Sequence, residues 1–330
     1  MERPRRGRTM LRILAIVTGL GALAWSGWWW AGSTAIERGL AAGIAAARAE
    51  GWTIEWDDVS VSGFPNRFDT TVAAPVVAPP DGAWRWEAPF VQVFALSYRP
   101  NHVIAVAPPE QMVEGRFGTL RATEDDLRAS VVVDPGPALA LDRATVAGRG
   151  LAFALDGARL AIDAAQVAVR RAEGATATYD LALDLDGIDL SGLTPAGATD
   201  RPARGSASVT GAATATLLRP LDRRSDGPQG VERVEIDGVS LDWGDVGLDV
   251  EGVLAADAGG LAEGALTLAI RDVDAALALL DGVIPEGQRR LARAFLSEDG
   301  TGGRVDLKVS GGVVRLGPLP LATLPALIPG

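Results

Sequence analysis

The sequence predicts a mainly β protein with a few helices (α+β), anchored by one N-terminal transmembrane helix. Three observations predict this class. Arginines precede an uncharged apolar run at residues 13–31. From Trp52 onward, apolar residues alternate with polar ones over short segments, and Gly, Pro and Asp separate these segments. We expect the strands to form a long, curved antiparallel sheet, open as a groove or half-barrel.

The apolar run at residues 13–31 predicts a membrane anchor. Its length is close to the roughly 20 residues that a helix needs to cross a bilayer. It begins at Ile13 and ends in a cluster of tryptophans: Trp28, Trp29 and Trp30. Tryptophan is enriched at membrane–water interfaces, so this cluster is predicted to lie where the helix leaves the hydrocarbon.

The basic arm at residues 1–12 predicts the orientation of the anchor. It carries five arginines against Glu2, and the positive-inside rule keeps such an arm in the cytoplasm. We therefore expect a single-pass inner-membrane protein with a cytoplasmic N-terminus and the bulk of the chain in the periplasm. The inner-membrane lipid bilayer is then its first expected partner.

A cleaved signal peptide is the alternative interpretation of the same run. Ala22, Leu23 and Ala24 fit a small-x-small cleavage site, after which the mature chain would begin at Trp25. The apolar run continues past this site through the tryptophans, which favours a retained anchor. Both interpretations export the remainder of the chain.

The rest of the chain divides by pattern. Residues 33–50 show helical apolar spacing and predict a juxtamembrane helix ended by Gly51. Residues 52–330 predict a periplasmic β-rich domain. Within it, the polar segment 220–230 is the part most open to mobility or cleavage, and 272–297 is a helical insertion.

Asp-Gly and Gly-Gly dipeptides inside alternating segments predict successive hairpins. They are Asp186-Gly187, Asp237-Gly238 and Gly311-Gly312. The Ala-rich segment Leu160–Arg170 fits either a strand or a helix. Each strand should carry one apolar face, as at Val305, Leu307 and Val309.

Aromatic residues at alternating positions are the candidate lining of a ligand groove. They are Trp52, Ile54 and Trp56 in one segment and Trp84 and Trp86 in another. We expect this Trp-rich part to be open, so that a lipid tail can reach it, while other parts of the sheet form a closed core.

Composition excludes several kinds of chemistry. Residues 1–12 carry a net charge of +4 and the whole chain −11, which leaves −15 for the remainder and argues against nucleic acid as a partner. The absence of cysteine excludes thiol nucleophiles and thiolate-bound metals. The single histidine, His102, has no recognisable metal-ligand or triad pattern around it, and no cofactor is expected.

Two functions compete on this basis. The first is a non-enzymatic protein that binds lipid, or organises the cell envelope with other envelope proteins, through an apolar sheet face. The second is a cryptic periplasmic hydrolase that uses His102 with scattered Asp and Ser residues. A purely structural scaffold is not separable from the first by sequence.

Two resemblances follow from particular motifs. The segment Val59–Phe68, which contains Gly63-Phe64-Pro65 after an anchor helix, resembles domain-of-unknown-function family 2125, an alphaproteobacterial family of uncharacterised proteins. The ending Gly312–Leu321 is similar to that of AsmA-like proteins. That second resemblance implies an N-terminal anchor, an extended β-sheet groove in the periplasm and a role in outer-membrane lipid homeostasis.

Overall fold

A computed structural model describes residues 5–193, 205–225, 229–278 and 303–329, together with Gly287, Arg290, Arg293 and Leu296. For residues 5–12 it describes the backbone alone. The chain divides into two compact units, residues 1–119 and 120–330. Most of the described chain is antiparallel β-sheet, and the predicted fold class is confirmed.

The first unit opens with one long helix, α1 (Arg5–Ala49). The predicted anchor and the predicted juxtamembrane helix are therefore one continuous helix. Its segment Ile13–Ala49 is long and apolar enough to cross a membrane. The helix ends where predicted: Gly51 has a φ of 94°, and the Trp52 N–H donates to the Ala47 carbonyl at 3.1 Å. This is the bonding pattern of a glycine-ended helix.

Eight short strands follow α1 in the first unit. They are β1 (Thr53–Glu55), β2 (Asp58–Ser62), β3 (Arg67–Ala73), β4 (Val76–Ala78), β5 (Trp84–Glu87), β6 (Phe90–Leu96), β7 (Arg99–Val106) and β8 (Glu110–Gly115). The pairs β3–β6 and β4–β5 share one register, and so do β2–β3 and β1–β4. The eight pieces therefore form a meander of four long strands, each broken once.

Prolines break three of the four long strands. The breaks fall at Ala74-Pro75, Ala88-Pro89 and residues 107–109, while the first strand breaks at residues 56–57. Across the break the Ala74 N–H still donates to the Pro89 carbonyl at 2.9 Å, so the neighbouring strands stay in register. Proline lacks the N–H that the hydrogen-bond ladder between strands needs, which explains why the strands are interrupted at neighbouring positions.

The second unit is a run of strands paired in chain order. They are β9 (Gly118–Thr123), β10 (Asp126–Val133), β11 (Leu141–Leu155), β12 (Ala158–Arg171), β13 (Thr178–Ile188), β14 (Ala207–Leu217), β15 (Val231–Trp243), β16 (Val246–Ala256), β17 (Ala262–Ile270), β18 (Gly303–Ser310), β19 (Val313–Leu316) and β20 (Leu319–Thr323). From β10 to β20 each strand pairs antiparallel with the next. Among the described strands β20 pairs with β19 alone, so the sheet is open.

Two of the three predicted hairpin turns are wrong. Gly187 lies near the end of β13 and Asp237-Gly238 lies inside β15, and both places are β-bulges where the register shifts. Only Gly311-Gly312 is a turn, between β18 and β19. A bulge and a tight turn both favour glycine, so the dipeptide alone does not distinguish them. The ambiguous segment Leu160–Arg170 is a strand, because it lies within β12.

The remaining predicted segments are described in part. Helix α2 (Val273–Ala278) begins the predicted helical insertion 272–297, most of which lies outside the described residues. Of the predicted mobile loop 220–230, residues 226–228 lie outside them. In the described part, the Leu221 N–H donates to the Tyr179 hydroxyl at 2.8 Å and the Leu221 carbonyl accepts from the Leu141 N–H at 2.8 Å. Mobility of the loop stays a prediction.

Candidate ligand-binding surfaces

The structure brings the five predicted groove residues together in the first unit. Trp52 and Trp84 meet edge to face, with ring centroids 6.1 Å apart. Ile54 is opposite Val77, which in turn is opposite Trp86, so these three side chains form a row on one face. All five predicted residues are half-buried.

The C-terminal end of α1 lies against this tryptophan patch (Trp52, Ile54, Trp56, Trp84 and Trp86). The Arg48 guanidinium lies 4.8 Å from the centre of the Trp56 ring and donates to the Ile54 carbonyl. The Trp86 indole N–H donates to the Gln111 side chain at 3.1 Å. Contacts with its own chain thus occupy part of the patch. Its role as a ligand groove stays a prediction.

The sheet of the second unit carries an uninterrupted apolar face from β10 to β18. Directly opposite residues of paired strands share a face. The pairing registers therefore place every second residue of each strand on one common side of the sheet, apart from the bulges. The members that carry large side chains are Leu127, Val131, Val133, Val146, Val167, Val169, Leu181, Leu183, Leu185, Val209, Val234, Ile236, Val239, Leu241, Leu248, Val250, Leu254, Leu266, Leu268, Ile270, Val305, Leu307 and Val309. Tyr179, Trp243 and Val246 lie on the same side near the strand ends, Arg171 is opposite Tyr179, and most of the other positions are alanine or glycine.

One half of this apolar face is closed. Leu254, Leu307 and Val309 are buried in a cluster with residues of β19. Leu296, Leu324 and Leu327 pack against the same cluster. Leu307 is 7% exposed, as expected for a packed core.

The other half, at β10–β13, is open. Val146 and Val167 are opposite each other in the register and are 45% and 50% exposed. Val131 and Leu181 are also exposed. Large apolar side chains clustered at this exposure mark an interaction surface in soluble and peripheral proteins. We call this part of the sheet the open apolar face.

Sequence reasoning missed the open apolar face. The segment that contains Val167 fitted either a strand or a helix, and alternation does not reveal whether another element covers an apolar side. Attention to aromatic residues also favoured the tryptophan patch. The available signal was a run of strands whose apolar positions carry mainly Leu, Val and Ala.

The opposite face of the same strands is polar, and several of its charges are paired. It holds an open depression of about 730 Å³ lined by Asp126, Arg128, Arg149, Gln166 and Asp184, among others. Asp126 accepts from Arg128 at 2.6 Å and from Arg149 at 3.1 Å. The hydrogen bond from Arg128 lowers the pKa of the Asp126 carboxyl group. Paired charges of this kind are typical of a water-facing surface.

The predicted anchor residues have two different surroundings. The large apolar residues of α1 from Ile13 to Leu23 are exposed, and so is Trp28. Unlike those residues, Trp28 and Trp29 donate their indole N–H groups to the Ser97 and Arg67 carbonyls, at 3.1 and 2.7 Å. Trp30 is exposed.

These features define a class of protein: an open antiparallel β-sheet with one apolar face, preceded by a helix that is able to cross a membrane. The chain belongs to the family described as "Uncharacterized protein conserved in bacteria (DUF2125)", whose model matches residues 28–325. The predicted family is confirmed, and its description assigns no activity. No curated protein and no solved structure is detectably similar to the chain.

Proposed function

We propose that this protein is a single-pass inner-membrane protein whose periplasmic β-rich part binds lipid acyl chains on the open apolar face, without enzymatic activity. The observation that carries the proposal is the exposure of Val131, Val146, Val167 and Leu181 on one side of the sheet. Along the stretch where β10 pairs with β11, the directly opposite positions of β10–β13 on this side carry only Leu, Val, Ala and Gly. The charged side chain of Arg171 lies on this side at the end of the stretch and is paired with Asp134 and Asp142. A saturated tail matches such a surface because neither partner has a hydrogen bond to satisfy.

The size of the open apolar face suits one acyl chain. Strands lie about 4.8 Å apart, so β10–β13 extend over about 14 Å between their outer axes. One leaflet of a hydrocarbon core of about 30 Å is about 15 Å thick, which is the reach of one tail. The strand β12 between these edges contributes Val167 and Val169 to the same face.

The chemistry of the face favours lipid over a protein partner. A protein interface usually combines an apolar centre with a polar rim and about one hydrogen bond per 100–200 Å². The interior strands β11 and β12 have both edges paired, so they offer no backbone groups to a docking peptide. The predicted anchor tethers the chain to a bilayer, and the bilayer is the source of lipid.

Site-specific photocross-linking in intact cells tests the proposal. A benzophenone amino acid placed at Val146, Val167 or Leu181 should form adducts with labelled phospholipid. The matched controls are Thr145, Gln166 and Ala182, each adjacent in sequence and on the opposite face of the same strand. We expect phospholipid adducts at least several-fold stronger on the apolar side.

Two outcomes contradict the proposal. Equal phospholipid adducts on both faces would show that lipid does not select the open apolar face. Protein adducts without lipid adducts at Val146 and Val167 would instead favour the scaffold. The same cross-linker at Trp84 tests whether the tryptophan patch also contacts lipid.

A further inference from the structure

Two loops of the first unit lie together beside the middle of α1, and we call them the tip. We define the tip as residues 63–67, which comprise the loop after β2 and the first residue of β3, and residues 97–98, between β6 and β7. Phe64 and Tyr98 are 56% and 60% exposed there. Two exposed aromatic rings thus lie at the end of the sheet that is next to the apolar part of α1.

Three indoles of α1 satisfy loop carbonyls of the tip. Trp25 donates to the Pro65 carbonyl at 2.8 Å, and Trp28 and Trp29 donate to carbonyls in the same two loops. The Trp29 ring also meets Phe64 edge to face, with centroids 5.5 Å apart. Irregular backbone is tolerated at membrane depth only where its polar groups are satisfied within the protein. The tip meets this requirement at these three carbonyls.

The helix below the tip is too short to cross a bilayer by itself. Trp25 is the first residue of α1 that hydrogen-bonds to the tip, and Arg12 is the last charged residue before it. Residues 13–24 rise only about 18 Å at 1.5 Å per residue. The hydrocarbon core is about 30 Å thick. To span the hydrocarbon core, α1 must therefore also use the turns around Trp25, Trp28 and Trp29, which contact the tip.

We propose that the tip inserts into the lipid bilayer beside α1, with Phe64 and Tyr98 at the level where headgroups meet acyl chains. The ring of Tyr98, with its hydroxyl as polar end, is favoured at this depth, and Phe64 adds apolar area at the boundary with the acyl chains. Arg99, next to the tip, and Arg67, within it, are both exposed, and Arg67 is paired with Asp69 at 2.6 Å. Long basic side chains at this level reach the phosphate groups. Gly32 fixes the closeness of helix and sheet, because a Cβ there would lie 2.5 Å from the Phe68 ring. This inference rests on the membrane anchor of the proposed function and is independent of acyl-chain binding to the sheet.

Depth-sensitive fluorescence on the full chain tests the insertion. The protein has no cysteine, so Phe64→Cys, Asn66→Cys and Tyr98→Cys each accept one environment-sensitive dye. The control is Phe117→Cys, an exposed aromatic position in the loop after β8, outside the tip. The protein is reconstituted in vesicles of equal parts phosphatidylcholine and phosphatidylglycerol that carry a nitroxide on the acyl chain.

We expect the nitroxide lipid to quench the three tip dyes several-fold more than the dye at Phe117. Aqueous iodide should show the reverse order. Asn66→Cys keeps both aromatic rings, so it reports on the tip even if loss of Phe64 loosens the Trp29 contact. Tip dyes quenched by lipid no more than the Phe117 dye would overturn the insertion. So would tip dyes that are shielded from both quenchers, which would show that protein covers the tip. Membrane extraction by carbonate tests the anchor itself and separates its failure from failure of the insertion.

Discussion

At the scale of single residues, Glu124 is a carboxyl group in an unfavourable environment for its charge. It lies between β9 and β10 and is 8% exposed, and one of its oxygens finds no donor among the described residues. Burial raises the pKa of Glu124, and the negative charges of Asp126 and Asp125 raise it further. The folded state therefore holds the proton more tightly than the unfolded chain. The resulting stabilisation is complete below the ordinary glutamate pKa of about 4.3 and is lost as the pH rises through the raised value.

Glu124→Gln should remove this pH dependence. We expect the variant to be more stable than the wild type at pH 7, by up to about 1 kcal/mol, because it no longer buries a charge. At low pH the advantage should disappear, since wild-type Glu124 is then neutral. Thermal unfolding from pH 4 to pH 8 measures both effects, with the exposed Glu110→Gln as control. Parallel pH profiles for Glu124→Gln and the wild type would contradict the assignment.

The two halves of the apolar face should respond differently to the same substitution. Leu307→Asn removes packed apolar surface and buries an amide, so we expect a loss of about 2–4 kcal/mol in the free energy of unfolding. Val167→Asn places the amide where water reaches it, and the change should stay within about 0.5–1 kcal/mol. Chemical unfolding followed by circular dichroism measures both. Equal destabilisation would mean that the face is also closed at β12.

At the scale of elements, the bulges of β13 and β15 differ in whether they require glycine. Gly187 has a φ of 65°, and a Cβ there would collide with the Asp163 carboxyl group. Gly238 has no such φ, and a Cβ there would meet open space. Only the first bulge therefore depends on the conformational freedom of glycine.

Alanine substitution separates the two bulges. Gly187→Ala should cost about 1–2 kcal/mol from the left-handed backbone alone, and the collision adds to that. Gly238→Ala should change stability by less than about 0.5 kcal/mol. Two tight hairpin turns would instead require positive φ at both glycines, so a large loss in both variants would support turns over bulges. The midpoint of thermal unfolding is a sufficient measurement.

The sequence predicted the elements better than their connections. Period-two alternation identified the strands, and Gly51 marked the end of α1, because both signals are local. Asp237-Gly238 was misassigned as a turn because a bulge and a turn share their local chemistry. The open apolar face was missed because its exposure depends on which distant segments cover it. The residues that cover Leu307 come from parts of the chain as distant as Leu324 and Leu327.

At the scale of the whole molecule, the basic arm predicts that the two ends of the chain lie on opposite sides of the inner membrane. Alkaline phosphatase fused after Gly330 should be active, because it folds only outside the cytoplasm. A reporter that fluoresces only in the cytoplasm should stay dark at the same position. The reverse pattern would refute the topology. A mature chain that begins at Trp25, detected by intact mass, would leave export in place and refute the anchor.

The central claim is that the open apolar face holds lipid, and native mass spectrometry of the protein released from membranes tests it most directly. The face variant carries Val146→Asp with Val167→Asp, and its matched control carries Thr145→Asp with Gln166→Asp on the opposite face of the same two strands. Lipid that adheres to α1 is common to all three proteins and cancels in the comparison. We predict that the wild type and the control retain bound phospholipid and that the face variant retains at least one molecule fewer. The same number of bound lipids in all three proteins would contradict the claim.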